Sequence, residues 1–141
     1  MKERDVEVGF VLKLERGEEV VSSIQDFCAR RGIRGAVFTG IGAVKNSTIG
    51  YYNLDSRDYG WKNFPEDREV ASMNGNVALV DDKPFVHVHT VLSATDETLS
   101  CIGGHMKSAE VAVTLEIFLT PLPTPLTRVM DDSIGLKLLA L

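Results

Sequence analysis

Residues 84–107 read PFVHVHTVLSATDETLSCIGGHMK and hold all three histidines of the 141-residue chain. Residues 85–93 alternate and are rich in Val and Thr, the pattern of a half-buried strand. Residues 99–106 read as the returning strand, and the polar ATDET run between them reads as a turn. Side chains two apart on a strand share a face, so His87 and His89 project together, roughly 7 Å apart at the backbone. A turn centred near Asp96 puts His105 directly across from His87. It also puts Gly103 across from His89, where a missing side chain leaves open space. A slip of one residue would send His105 to the other face.

Three imidazoles on a rigid sheet suit Zn²⁺, with iron, nickel or copper as alternatives. A fourth position would hold water or a group from another subunit. An open position marks a catalytic zinc, and a closed one a structural zinc. A lone H-x-H is common by chance in strands, and the third histidine gives the pattern its weight. The competing use of the same residues is as hydrogen-bonded histidines lining a core or an interface.

Length predicts one domain, residues 1–141, with room for a real core. Hydrophobic residues make up 44% of the chain and charged ones 25%, both ordinary for a soluble globule. The net charge of −5 argues against attraction of the whole surface to nucleic acid or anionic membrane. Cys28 and Cys101 have no CxxC spacing and read as buried thiols. The charged start, MKERDVEV, lacks a signal-peptide apolar core, and no apolar run reaches membrane-spanning length. The expected compartment is the cytoplasm.

Residues 5–14 alternate and predict a half-buried strand. Residues 18–31 form the one convincing helix, with Val20, Val21, Ile24, Phe27 and Cys28 as its apolar stripe. Glu18 and Glu19 suit its positive end, Arg30 and Arg31 its negative end, and Gly32 stops it. Residues 34–39 read as a buried strand. The following Gly40-Ile41-Gly42-Ala43 is not a nucleotide-binding loop, because the third glycine of GxGxxG is missing and another strand-like run, 47–52, follows. A tight bend is the expected use of these glycines. The aromatics of 51–64 suit a binding surface, or core and interface packing. Residues 68–73 and 76–80 read as two short strands about an Asn74-Gly75 turn, and Asp81-Asp82-Lys83-Pro84 as the turn into the histidine strand. Lys107–Glu110 reads as a further turn into the apolar strand 111–119. That turn would place Glu116 across from Cys101 on the histidine face, as a partner for an imidazole N–H, a general base or a partner for an arginine. The alternative is a glutamate reaching solvent at a sheet edge. Residues 121–128, PLPTPLTR, cannot be a central strand or a helix. Residues 134–141 return as a final apolar strand.

This order predicts an α+β fold, a largely antiparallel sheet with one main amphipathic helix. One helix covers only part of one sheet face, so oligomerisation is expected on burial grounds. GIGAV at 40–44, EVASMNGNVAL at 69–79, PFVHVHTVLS at 84–93 and GGHMKSAEVAVTLEIFL at 103–119 together resemble the PPC domain, the plants and prokaryotes conserved domain, in its free-standing prokaryotic form. The resemblance covers roughly residues 5–140. It implies an antiparallel α+β fold assembled as a homotrimer, a predicted DNA-binding role, and in some relatives a metal on the histidines that fall here at His87, His89 and His105. Plant members carry the domain beside AT-hooks, and this sequence has no RGRP core.

Three functions follow as expectations. The first is a regulatory, DNA-binding homotrimer, with Arg30, Arg31, Arg34, Lys45 and Lys62 as candidate contacts. The second is a metal-dependent enzyme acting on a small-molecule ligand at the three-histidine centre, with Glu116 as candidate base. The third is a structural module whose metal stabilises the hairpin or the trimer.

Overall fold

Apolar alternation builds most of this molecule, and the computed structural model describes residues 1–141. The order is β1 (Lys2–Val6), β2 (Gly9–Glu15), α1 (Val20–Arg31), β3 (Ala36–Asn53), β4 (Asp58–Phe64), β5 (Arg68–Val80), β6 (Lys83–Ala94), β7 (Cys101–Pro121), β8 (Thr127–Asp131) and β9 (Leu136–Ala140). All strand pairs are antiparallel except a single parallel register between β5 and β8, so the expected α+β class is the observed one. The pairings β7–β3, β3–β5, β5–β6 and β6–β7 form a closed circuit. The hairpin β1–β2 joins this circuit on β7, β4 pairs with β3, and β8–β9 lies beyond β5. A core of 23 buried residues fills the interior, including Leu12, Leu14, Phe38, Met73, Leu92 and Leu115.

The helix buries Val20, Ile24, Phe27 and Cys28. Glu19 caps it, accepting from the backbone N–H groups of Val21 and Ser22, and Gly32 ends it in the left-handed conformation. Glu19 also accepts from Ala109 N–H at 3.2 Å, which ties the start of the helix to β7.

Four features expected from local sequence differ in the structure. The first strand is a hairpin, because the chain reverses at Glu7-Val8 and leaves Val8 exposed. The stretch Gly40–Ala43 does not end a strand. β3 runs on through it with a register shift against β5, and at Gly42 (φ 152°) a Cβ would strike the carbonyl oxygen of Thr114. Asn74-Gly75 is not a turn either, and β5 passes straight through it. Gly75 is glycine for packing, since a Cβ there would run into the Phe38 ring and stand 2.6 Å from the carbonyl oxygen of His87. Lys107–Glu110 likewise stays within β7, whose register against β3 shifts several times along this stretch. The β5–β6 loop is the expected turn, with Asp81 and Asp82 both at positive φ, as a two-residue type I′ loop requires.

Gly75→Ala should destabilise the protein by about 1–3 kcal/mol through overpacking against Phe38. Urea unfolding reads this, and adding Phe38→Leu should recover part of the loss. An unchanged midpoint for the single variant would mean that the ring moves aside freely.

Candidate metal centre

On β6 the even positions Val86, Val88, Thr90 and Leu92 are buried. This alternation turns His87 and His89 to the outer face. The β6–β7 ladder pairs His89 with His105, Thr90 with Gly104 and Val91 with Gly103. The register therefore sits two residues from the expected one: His105 lies across from His89 instead of His87, and Gly103 lies across from Val91. Two residues is an even displacement, so His105 keeps the predicted face. The slack comes from the turn, where Asp96 accepts from both the backbone N–H and the hydroxyl of Thr98 and so closes the loop later than expected.

The three imidazoles meet, with one ring nitrogen from each within 4.8 Å of the others. His87 Nε2 stands 3.2 Å from His105 Nδ1. Donors of a tetrahedral zinc, at ~2.0–2.1 Å from the ion, lie roughly 3.4 Å apart. The pair His87–His105 already stands close to that spacing. Two hollows flank the cluster. One, about 270 Å³, borders His89, Asn74, Gly103 and Gly104, so the open space expected beside His89 is present despite the changed pairing. The other, about 250 Å³, borders His87 and His105 on the side of the helix.

Arg128, from the segment that follows the prolines, completes the surroundings. Its Nη2 donates to Asn76 Oδ1 at 2.9 Å and stands 3.2 Å from His87 Nδ1, and its Nη1 donates to the carbonyl oxygen of Lys137. A guanidinium only donates. His87 Nδ1 must then accept, which puts the proton of the neutral ring on Nε2, aimed at His105. Burial, and then the charge of Arg128, push the His87 pKa down to about 4. Burial and His89 lower that of His105. The Tyr59 ring meets His105 edge-on at 5.2 Å between centroids, and burial raises its phenol pKa, which keeps it protonated at neutral pH.

Glu116 is not brought to this cluster. It is exposed, pairs with Lys13 on β2 and Ile41 on β3, and lies eleven residues along β7 from His105. The expected turn that would have folded it back does not exist. Arg128 and Asn76 are the surroundings that the sequence reading missed, while Tyr59 belongs to the aromatics of 51–64 expected to suit a binding surface. Asn76 was legible in principle, as a polar residue in an apolar strand. Arg128 was not, being 41 positions from His87 in the chain.

The lowered pKa of His87 sets a sign. A histidine held neutral in the fold supports stability above its unfolded pKa of about 6.5, and that support drains away as pH falls from there toward 4. The urea midpoint of metal-free protein should drop between pH 7 and pH 5, above the range where carboxylates titrate. His87→Gln should flatten that slope, and an equal slope in both proteins would remove His87 as its source.

The sequence matches the Plants and Prokaryotes Conserved (PCC) domain over residues 1–123. No curated protein matches it. Among solved structures, a metal-containing protein from Archaeoglobus fulgidus is 38% identical with a TM-score of 0.87, covering 99% of both chains. A plant- and prokaryote-conserved protein from Pyrococcus horikoshii is 34% identical with a TM-score of 0.85, covering 92% of this chain and 89% of that one. A "putative DNA-binding protein" from Ralstonia eutropha JMP134 is 27% identical with a TM-score of 0.90, covering 99% and 96%. No helix is long and apolar enough to cross a membrane. With the family match spanning most of its length and the fold shared throughout, the chain belongs to the Plants and Prokaryotes Conserved domain family.

Proposed function

We propose that this protein is a homotrimeric metal-binding domain in which His87, His89 and His105 hold one divalent transition ion, zinc first. The observation that carries this reading is the convergence of three imidazole nitrogens within 4.8 Å on one sheet face. Their lowered pKa values leave His87 and His105 unprotonated at neutral pH, as ligands must be. The metal-containing relative at 38% identity supports it. A bound zinc would supply a Lewis acid. The protein's own part is to orient the rings: Arg128, itself held by Asn76, contacts His87, and Tyr59 borders His105.

Assembly is supported by the face that the histidines share. Cross-strand partners lie on one face, and the ladder runs His105–His89–Asn74–Thr39–Phe118 across β7, β6, β5, β3 and back to β7. Phe118, Val37 and Ile41 are 53%, 47% and 57% exposed on it. A second copy covering these side chains would come close to the metal cluster. The number three follows from the family resemblance.

A regulatory role through DNA rests on the names of relatives. Of the five basic candidates, four already have carboxylate partners: Arg30 with Glu3, Arg31 with Glu3 and Asp5, Arg34 with Asp82 and Lys45 with Glu110. Lys62 stands over Phe64. The runner-up is a metal-dependent enzyme on a small molecule, favoured by the two hollows beside the histidines.

Elemental analysis of untagged protein should find about one transition metal per chain, lost in His105→Ala, and light scattering should give three chains per particle. Metal-free native protein that still folds and assembles would return the histidines to hydrogen-bonding roles. Duplex DNA should bind at low salt and weaken steeply as salt rises, if DNA is a partner. No shift of a labelled duplex at low salt would end that role.

A further inference from the structure

The β6–β7 ladder stops at the pair His89–His105. Beyond it β7 stays with β3, through Met106 and Ile49, while β6 stays with β5. The two strands splay, and the edge of β6 before His89 has no second strand against it. The helix packs behind both strands, and the gap is the cavity of about 250 Å³. Its buried wall is apolar, made by Val88 and Met106 with Val21 of the helix. Its outer wall holds His87, His105, Lys107 and Trp61.

The charges of this wall run against those of the chain. The protein carries a net −5, yet the cations here have no carboxylate beside them. Lys107 Nζ sits 5.4 Å from the Trp61 ring. Arg128, behind His87, is held by two carbonyl-type oxygens and an imidazole, with its buried Nε left without a partner. Many surface Lys and Arg side chains are paired with Asp or Glu, as at Arg30, Arg31, Lys45 and Lys137, whereas no acidic residue lines this cavity. One unpaired cation, Lys107, on the wall of a largely apolar hollow with no acidic lining residue, and a second, Arg128, behind His87, favour a ligand with one anionic end and an apolar body. The volume lies below the roughly 300 Å³ at which drug-sized pockets begin, which limits that body to one ring or a short chain.

We propose that this cavity binds a small organic carboxylate, its apolar body against Val21, Val88 and Met106 and its anionic end at Lys107. This goes beyond the metal reading, and it stands on a cavity and a lysine that are present without an ion.

Trp61 is the chain's single tryptophan and lines the cavity, so its fluorescence reports occupancy. Titration with benzoate should give a saturable change, and the neutral analogue benzyl alcohol should bind about tenfold more weakly, the worth of one charge-assisted hydrogen bond. Lys107→Gln should weaken benzoate about tenfold and leave benzyl alcohol unaffected, while Lys107→Arg should keep benzoate binding. Melting curves of both variants show that they are folded. The titration is run on chelator-treated and on zinc-loaded protein. Saturation in either form supports the site. Its absence from both, or equal affinity for the acid and the alcohol, overturns the proposal, while the metal reading is decided separately by elemental analysis.

Discussion

Everything at the centre of this protein depends on the two-residue alternation of β6. Val86, Val88 and Leu92 are buried, and each contributes about 1.5–3 kcal/mol by leaving water. Turning the strand over would expose all three and bury two imidazoles with no assured partners. The register is thus fixed by several kcal/mol of core packing, and the outward pair His87 and His89 is its by-product. β7 then needs only the right parity to add His105. The chemistry rides on the core without contributing to it.

The surroundings of the cluster contain a tension. A guanidinium 3.2 Å from His87 discourages protonation of that ring, which favours a ligand state. The same positive charge opposes a divalent ion nearby. Asn76 offers relief, since its Oδ1 already accepts from Arg128 and can keep it if the imidazole hydrogen bond is given up. Arg128 itself arrives from β8, whose hold on the rest of the sheet is one parallel register at Leu79 and Thr127. Side chains supply the rest of the β8–β9 hairpin's attachment: the Tyr52 hydroxyl donates to the Ile134 carbonyl, Arg57 donates to the carbonyls of Asp132 and Ser133, and Lys137 pairs with Asp81.

The helix, its caps, the Asp81-Asp82 turn and the face shared by the three histidines were legible because each is encoded within a short local stretch of chain. The long strands were not. Gly40–Ala43, Asn74-Gly75 and Lys107–Glu110 all carry turn-like composition, yet each lies inside a strand. At Gly42 and Gly75 the glycine answers to a neighbour distant in sequence, Thr114 in one case and Phe38 in the other. Local composition cannot separate a glycine that turns the chain from one that makes room for a ring. The misplacement of Glu116 came from reading the polar Lys107–Glu110 run as a turn, and the two-residue error in the histidine register from loop length being the only guide. Arg128 had no local signature because its role exists only after β8 has docked.

The strand β7 pairs with β2, β3 and β6, all of which precede it in the chain. β2 has only β1 as its other neighbour, and its partners on β7 begin about a hundred residues later. As the protein emerges from a ribosome, the N-terminal hairpin must therefore wait, half its apolar surface uncovered, until residue 119 has been made. The meander β3–β5–β6 can form early, but its circuit stays open over the same interval. Long-range pairing of this kind makes folding slow and leaves strand edges unprotected meanwhile. The order of synthesis, rather than the strength of any one contact, sets when this fold becomes safe from its neighbours.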